Sequence, residues 1–426
     1  MPFTTRSYWS EQMNGQKKGR ERVEHTLIIG AGPAAVQTAV LAGRAWKGDV
    51  SVASRPGSRF RKLKENCVLK AEAKDRPAMS GEVSVSRYYD GFTKVPDRYS
   101  TIILCTPDDA YGDILESLEI HKRSRVQTVM LLSPGMGANR AAESIIRHQQ
   151  VEVISLSNYY AATKFKENSF IAFTKAVKKR IYAASNRTGT GLEKVKQLLG
   201  PTGIDVVVKD APIEAECRNI TTYVHPPFFI NDFSLDETLA ETRSVKSLYK
   251  LYPEGPVTPS AISDMVKLWK ECSVLVEKLG GEPVNLLQFL HDDNYPVREA
   301  SLSRADIDGF IDFETVKQEY LLYIRYASLL IDPYSEPDVE GRYFEFSKVP
   351  YQQISQNEAG EWVLPRIPLE DYKKLKVISR LGRECGVSLS MTGELITRFE
   401  RRVNGWQKET GRIIAGFCPD GGEGAV

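Results

Sequence analysis

This sequence lacks the features that mark membrane, secreted and nucleic-acid-binding proteins. No apolar run approaches the roughly 20 residues needed to cross a bilayer, and the polar, charged stretch 1–25 contains no apolar signal core. The 57 Lys and Arg residues nearly balance the 55 Asp and Glu residues, giving a formal charge of +2. So small a surplus gives no reason to expect a nucleic acid or an acidic membrane as partner. We therefore expect a cytoplasmic protein.

Paired cysteines are also missing. The six cysteines contain no C-x-x-C pair and are scattered over the chain, at Cys67, Cys105, Cys217, Cys272, Cys385 and Cys418. This spacing indicates reduced thiols rather than a disulfide framework or a zinc site. No metal ligand set is predicted for this protein.

The length of the chain and a change in its hydrophobic pattern predict two domains. A chain of 426 residues, 42% hydrophobic and 26% charged, has the balance of a globular protein but is long for a single core. Apolar runs alternate with amphipathic stretches up to about residue 210, which predicts a Rossmann-type, doubly wound parallel sheet in an α/β fold. Long helical patterns follow, notably 260–279 and 315–330. We expect a polar extension over 1–24, a nucleotide-binding domain over 25–210 and a mainly α-helical domain over 211–426, which carries substrate and catalytic groups.

A glycine-rich turn follows the first predicted strand. The string is Gly30-x-Gly32-x-x-Ala35, with Pro33 and Ala34 inside it, and it opens a predicted helix. The first glycine permits a tight turn, the second allows the backbone to approach a pyrophosphate, and the small third residue lets helix and strand pack closely. The helix N-terminus offers N–H groups to the phosphates, and a proline in its first turn costs no hydrogen bond. The string therefore predicts a dinucleotide site, although such a turn can also be purely structural.

The tip of the second predicted strand favours NADP(H) over NAD(H). An NAD site places an acid there to bind the ribose hydroxyls. Here Ser54 is followed by Arg55, with Arg61 six residues on, and guanidinium groups suit a 2′-phosphate. A solvated basic turn is the alternative. Thr106 and Pro107 end a later strand where Rossmann loops usually pass the cofactor, so we expect them in the same site.

Only five histidines are available for proton transfer near neutral pH. His25 precedes the first strand, and His121 and His148 lie in polar surroundings. His225 and His291 remain, and His225 lies just past the expected domain change between aromatic residues and prolines. We predict His225 as the acid–base residue, with a purely structural histidine as the alternative.

A catalytic histidine usually needs a carboxylate that sets its tautomer and stabilises its cation. Asp332 ends an apolar helical stretch and is followed by a proline, so we predict it as that carboxylate. Arg325, on the same stretch, is a candidate for binding a substrate carboxylate. An ordinary ion pair at the end of a helix is the alternative for both residues.

Several longer strings resemble the opine dehydrogenase family, which joins an α-keto acid to an amine and reduces the imine. They are similar to one branch in particular, the staphylopine and pseudopaline type of metallophore synthase. The likeness runs from about residue 26 to about residue 405 and rests on these segments: Thr222–Pro227, Asn231–Phe233, Tyr249–Pro256, Asn285–Phe289, Asn294–Arg298, Gln318–Tyr323 and Leu330–Pro333.

The resemblance implies a set of roles. Arg55 and Arg61 hold the 2′-phosphate, and His225 with Asp332 transfers the proton. Asn219 is implied as a substrate amide, although it lies six residues before His225 where older opine dehydrogenases have an asparagine four before. The amine substrate is an aminobutyryl-histidine intermediate made by a nicotianamine-synthase-like partner enzyme, and the product chelates metal. The apolar helices of the second domain lead us to expect a homodimer.

The resemblance also bears on the keto acid. Pyruvate-using members have an aspartate at the place of Ala162, whereas members that use 2-oxoglutarate have alanine. Ala162 lies in the segment 157–164, after the predicted strand 151–156 and thus at the carboxyl edge where such sheets bind ligands. An aspartate there would repel the second carboxylate of 2-oxoglutarate. We therefore expect 2-oxoglutarate to be preferred over pyruvate.

Two other functions share this pattern. An NADP-dependent dehydrogenase of a hydroxy acid or sugar acid would have the same fold and the same histidine–carboxylate logic, but it would need no amine. A sensor that binds NADP without turning it over belongs to a different class, and it would show no change of absorbance at 340 nm with any keto acid and amine.

Overall fold

In the computed structural model, the first part of the chain alternates short buried strands with helices. The structure describes residues 24–74, 76–147, 150–331 and 349–417. Strand β1 (Glu24–Ile29) is followed by helix α1 (Pro33–Ala45) and strand β2 (Gly48–Ser54). β1 pairs in parallel with β2 on one side and, on the other, with a strand from later in the chain, β5 (Thr101–Leu104). This crossover confirms the expected doubly wound α/β fold.

The other strands of the first part extend this sheet on both sides. In chain order they are β3 (Val68–Ala73), β4 (Gly81–Asp90), β6 (Thr128–Leu131), β7 (Glu152–Leu156), β8 (Ala161–Phe165), β9 (Ala172–Val177), β10 (Arg180–Ser185) and β11 (Asp205–Lys209). The connecting helices are α2 (Ser58–Leu63), α3 (Tyr111–Ser117), α4 (Ala138–Ile146) and α5 (Gly191–Leu199). Within the described residues the strand order is β11-β10-β7-β6-β5-β1-β2-β4-β3-β9-β8.

One edge of the sheet folds back over α1. Strand β4 changes partner along its length, because residues 81–84 pair antiparallel with β3 whereas residues 85–90 pair in parallel with β2. β3 then pairs with β9, and β9 with β8. Helix α1 packs against all four of these strands as well as against β1 and β2. The helix that follows the glycine turn is therefore enclosed between two layers of sheet.

Two polar side chains of α1 become fully buried by this enclosure, and both are satisfied. Gln37 donates from Nε2 to the carbonyl of Met79 at 2.8 Å and accepts from Thr174 Oγ1 at 2.8 Å. The hydroxyl of Thr38 lies 2.9 Å from that of Tyr160. Buried polar groups without partners are costly, so these contacts specify how the outer layer sits on α1.

The later part of the chain is mainly helical, as expected. Its helices are α6 (Pro212–Glu216), α7 (Ile220–Phe229), α8 (Asp232–Leu239), α9 (Pro259–Lys278), α10 (Leu286–Asp292), α11 (Arg304–Asp308), α12 (Thr315–Ile331), α13 (Arg366–Cys385) and α14 (Ser390–Thr410). A short hairpin, β12 (Ser355–Gln356) and β13 (Trp362–Val363), precedes α13. Buried apolar residues of α7, α9, α12, α13 and α14 form one core.

Short polar residues begin several of these helices. A side-chain oxygen accepts a backbone N–H of the first helical turn in α7, α8, α9, α10 and α11, from Asn219, Asn231, Thr258, Asn285 and Ser303 respectively. Such caps satisfy N–H groups that have no partner within the helix. They place the first turn of each helix at a defined residue.

A buried carboxylate joins the helical part to the sheet. Glu216, at the end of α6, accepts from the backbone N–H groups of Gly137 and Asn139 at 2.7 Å each, and from Ser155 Oγ at 2.9 Å. Burial raises the pKa of Glu216 to about 7, while the three donors act in the opposite direction. The side chain therefore ties the start of α4 and the strand β7 to the segment that leads into α7.

Within the described part of the chain, no helix combines the length and the apolar character that crossing a membrane requires.

Candidate active site

The turn between β1 and α1 has the shape that a pyrophosphate needs. Gly30 has φ +137°, and a Cβ there would lie 2.9 Å from the carbonyl oxygen of Cys105. At Gly32 nothing lies within 4 Å of the position that a Cβ would take, so this side of the turn faces open space. Pro33 begins the helix, and the first N–H groups, at Ala34 and Ala35, have no intrahelical acceptor. The turn therefore fits a dinucleotide, and the free N–H groups of the helix N-terminus suit its phosphates.

The tip of β2 presents the two predicted arginines to solvent. Ser54 is the last residue of β2, Arg55 follows it, and Arg61 lies on the exposed side of α2. Within the described residues, neither guanidinium has a hydrogen bond or an ion pair. An acid does lie beside this tip, because the register pairs Asp90 of β4 with Ser54, but its carboxylate contacts Lys64 at 3.4 Å. The charge at this tip is therefore mainly positive.

The loop after β5 offers an unused polar group. Thr106 Oγ1 is buried and has no hydrogen-bond partner among the residues that the structure describes. Pro107 follows it and is exposed. A buried hydroxyl without a partner is unusual in a native interior, and a ligand that supplies the missing hydrogen bond accounts for it. This observation supports the prediction of Thr106 in the cofactor site.

His225 lies near the middle of α7, and both of its ring nitrogens have partners. Nδ1 lies 3.2 Å from Asp371 Oδ1, and Nε2 lies 3.2 Å from the hydroxyl of Tyr249. The ring of Phe229 meets the imidazole edge-on at 5.0 Å between centroids. The His225 side chain is 15% exposed and that of Asp371 is 1% exposed. This is the arrangement of a histidine whose tautomer and cation are controlled by a buried carboxylate.

Asp371, on α13, was not predicted as the partner of His225. The other oxygen of its carboxylate, Oδ2, is buried and has no hydrogen-bond partner within the described chain. The sequence does carry a signal for it, since α13 buries Pro368, Asp371, Leu375 and Ile378 at helical spacing. An acid on the apolar face of an amphipathic helix needs a partner, and a search for such acids would have found Asp371.

The predicted carboxylate, Asp332, lies outside the described residues. Arg325 lies on α12, within the described residues. It is buried, with 1% of its surface exposed, and does not face an open crevice. Its Nη2 donates to the carbonyls of Leu290 at 2.6 Å and Tyr295 at 2.9 Å. Its Nε has no partner among the described residues. A role for Arg325 in binding a substrate carboxylate therefore remains a prediction.

The other two predicted substrate residues differ in their surroundings. Asn219 is 2% exposed and caps α7, with its Oδ1 accepting from Thr221 and, at 3.2 Å, from Asn158 Nδ2. In this structure its side chain holds the start of α7 in place. A direct contact with substrate remains a prediction. Ala162 lies on β8 with its side chain exposed, paired with Ala176 of β9.

His291, the competing histidine, has a more local environment. Its Nδ1 lies 2.8 Å from the carboxylate of the next residue, Asp292, and its Nε2 lies 3.2 Å from the carbonyl of Val297. His25 contacts Asp49 at the amino end of β1, away from the glycine turn. The geometry thus favours His225 among the histidines that the structure describes.

A cavity of about 730 Å³ lies between the sheet and the helical part. It is lined by the loops after β5 and β6, by α3 and α4, and by α13. Thr222, one turn before His225 on α7, also lines it. An ion pair between Lys373 of α13 and Asp109 of the β5 loop, at 2.7 Å, connects its two sides. The described residues contain no group of three or more side chains suited to hold a metal ion.

Comparison with known proteins gives concordant matches. A family model described as staphylopine dehydrogenase matches residues 24–412. The chain is 40% identical to pseudopaline synthase from Pseudomonas aeruginosa (strain UCBPP-PA14), over 90% of this chain and 91% of that protein. It is 34% identical to staphylopine synthase from Staphylococcus aureus (strain Mu50 / ATCC 700699), over 88% and 89% respectively. Among solved structures, NADP⁺-bound yersinopine dehydrogenase has a TM-score of 0.84 and 32% identity, covering 91% of this chain and 93% of that one.

Proposed function

The chain belongs to the staphylopine dehydrogenase family, and from that premise we propose that it catalyses an NADPH-dependent reductive condensation. The substrates are an α-keto acid, with 2-oxoglutarate favoured over pyruvate, and the amine of an aminobutyryl-histidine-type intermediate. The product is an opine metallophore of the pseudopaline and staphylopine class, and a nicotianamine-synthase-like enzyme supplies the amine. The observation that carries the proposal is the buried His225–Asp371 pair in a fold whose glycine turn fits a dinucleotide.

The cytoplasmic location and the homodimer expected from the sequence stay predictions. The residue roles proposed for this chain do not depend on either.

The residues that would hold NADPH come from three loops of the sheet. The N–H groups after Gly32 would bind the pyrophosphate, Arg55 and Arg61 would hold the 2′-phosphate, and Thr106 would donate its unused hydroxyl. When bound, NADPH supplies the hydride for the reduction. The chain itself binds the cofactor and the substrates, orients them and moves the protons.

The proton balance identifies what the chain must do. The amine attacks the ketone carbon, water leaves, and an imine forms. Reduction then adds a hydride to the imine carbon and needs a proton on the nitrogen. Asp371 holds His225 through Nδ1, so Nε2, which contacts the Tyr249 hydroxyl, is the atom that exchanges a proton with the substrate. The buried carboxylate stabilises the imidazolium form during this exchange.

The amine requirement tests this function directly. NADPH oxidation at 340 nm should need both an aminobutyryl-histidine amine and a keto acid, supplied as pyruvate, 2-oxoglutarate or glyoxylate. Oxidation with a keto acid alone, at the same rate, would instead identify a hydroxy-acid or sugar-acid dehydrogenase. Binding of NADPH without oxidation by any pair would identify a sensor.

We predict that NADPH is preferred over NADH through Arg55. Replacing Arg55 with Ala removes a charge-assisted contact and should weaken NADPH binding by about 1.5–3 kcal/mol, with little effect on NADH. Fluorescence titration with both cofactors measures this. Arg383→Ala, an exposed arginine in the last turn of α13, is the control and should change neither affinity. Equal losses for NADPH and NADH in Arg55→Ala would show that Arg55 does not bind the 2′-phosphate.

We predict that His225→Ala lowers the rate of imine reduction by roughly 10²–10⁴-fold while NADPH still binds. Asp371→Asn should give a comparable loss, because the histidine loses the carboxylate that sets its tautomer. Asp332→Asn is measured in the same single-turnover assays as Asp371→Asn. The comparison decides which of the two carboxylates supports His225. A large loss in Asp332→Asn with a small one in Asp371→Asn would return the role to Asp332. His291→Ala serves as the control histidine and should retain most activity.

We predict a higher kcat/KM for 2-oxoglutarate than for pyruvate, and a shift towards pyruvate in Ala162→Asp. The introduced carboxylate repels the second carboxylate of 2-oxoglutarate. Pyruvate has no second carboxylate, so it is repelled less. Steady-state kinetics with both keto acids at saturating amine and NADPH measures the ratio. A wild-type enzyme with the higher kcat/KM for pyruvate contradicts the assignment of the keto acid.

A further inference from the structure

The hydroxyl of Tyr249 contacts the ring nitrogen of His225 that the buried carboxylate leaves open. Nε2 lies 3.2 Å from Tyr249 Oη, while Nδ1 lies 3.2 Å from Asp371 Oδ1. An imidazole nitrogen carries either one N–H or one lone pair, so it makes one hydrogen bond in the plane of the ring. With the tyrosine in this position, Nε2 has no second hydrogen bond to offer directly to a substrate.

A single buried ring packs against both partners of this hydrogen bond. Phe229, one turn after His225 on α7, is 1% exposed. Its ring meets the imidazole edge-on at 5.0 Å between centroids, and it meets the ring of Tyr249 edge-on at 5.5 Å. Edge-on contacts of this kind are a favoured arrangement of aromatic rings. Phe229 therefore holds the imidazole and the phenol in a fixed relation to each other.

The segment that carries Tyr249 is also held by backbone hydrogen bonds on both sides of this residue. Leu248, just before it, donates its N–H to the carbonyl of Val349 at 2.8 Å. Lys250, just after it, accepts the N–H of Val257 at 3.1 Å. The place of the tyrosine beside α7 is therefore set by its own backbone as well as by the contacts of its side chain.

The surroundings of the Tyr249 hydroxyl keep it protonated. Burial raises the pKa of Tyr249, and the charge of Asp371 acts in the same direction. The side chain of Asp371 is closed off, with 1% exposed, whereas His225 and Tyr249 are both partly exposed. A protonated hydroxyl is donor and acceptor at once, so it can receive a proton on one side while it gives its own away on the other.

We propose that the Tyr249 hydroxyl relays the proton from His225 Nε2 to the substrate nitrogen. The inference rests on the proposed function and assigns a further catalytic residue to it. During reduction the Nε2–H bond of the imidazolium breaks and a new bond forms between that proton and Tyr249 Oη. In the same step the original hydroxyl proton moves to the imine nitrogen, and the imine carbon receives the hydride of NADPH. The products are a secondary amine, NADP⁺, a neutral imidazole and a hydroxyl that is again protonated.

Tyr249→Phe removes the hydroxyl and keeps the ring that packs on Phe229. Its rate of reduction in single turnovers should fall by roughly 10²-fold, the lower end of what a proton-transfer group contributes. The affinity for NADPH and the KM of both substrates should change little, and NADPH titration checks that the variant is folded. Tyr252→Phe, at a tyrosine that is 66% exposed in the same segment, is the matched control and should behave as wild type. A Tyr249→Phe enzyme as fast as wild type would overturn the inference.

The double variant tests whether the two residues act on the same proton. If they do, adding Tyr249→Phe to His225→Ala should slow the enzyme little further, so the losses are not additive. Losses that combine in full would show that Tyr249 acts independently of His225, and they would overturn the relay.

The number of protons that move together separates a relay from a hydroxyl that only orients the imidazole. In the wild type, the single-turnover rate should fall along a curve as the fraction of D₂O rises, because two protons move in one step. A linear dependence indicates one proton and would overturn the inference, even if Tyr249→Phe is slow. The proposed function stands in each of these cases. A wild type that oxidises NADPH with no pair of amine and keto acid would overturn both.

Discussion

The contact between His225 and Asp371 is the constraint on which the candidate active site depends. It joins two helices whose contacting residues are 146 positions apart in the chain. Asp371 is 1% exposed, and an unpaired charge at such a depth is strongly unfavourable. The imidazole is the polar partner within reach, so the buried carboxylate and the histidine each limit where the other can lie. α7 and α13 must therefore pack in the observed register for this contact to form.

The same helix is held against the sheet at its other end. Asn219 caps α7 and receives a hydrogen bond from Asn158, in the segment that leaves β7. Three residues earlier in the chain, Glu216 accepts hydrogen bonds from two backbone N–H groups at the start of α4 and from the hydroxyl of Ser155. These contacts fix α7 relative to the carboxyl ends of the strands. His225, the proposed proton-transfer residue, is thus positioned relative to the sheet by buried polar contacts, which are directional, in addition to apolar packing.

The sequence predicted the parts that depend on local pattern. The glycine turn, the strand before it and the helix after it follow from residue spacing, and so does the helical character of the later part. His225 followed from the small number of histidines. Its contact with Asp371 is long-range, and no local pattern specifies which distant acid reaches a given histidine. The strands β3, β4 and β8 were missed, although the alternation in Glu82-Val83-Ser84-Val85 is a strand signal. Their role, covering α1, is set by tertiary pairing.

This difference between local and long-range features also distinguishes the residues predicted for the cofactor from those predicted for the substrate. The residues predicted to hold the cofactor lie after β1, β2 and β5, which pair in parallel side by side, so their relative positions follow from the sheet itself. Ala162 lies on β8, at the far edge of the sheet, where it pairs with Ala176 of β9. Neither of these two strands contributes a residue to the glycine turn. A substitution on β8 can therefore change the charge at this edge of the sheet while the glycine turn and the His225–Asp371 contact stay as they are, which is what the proposed selection among keto acids requires.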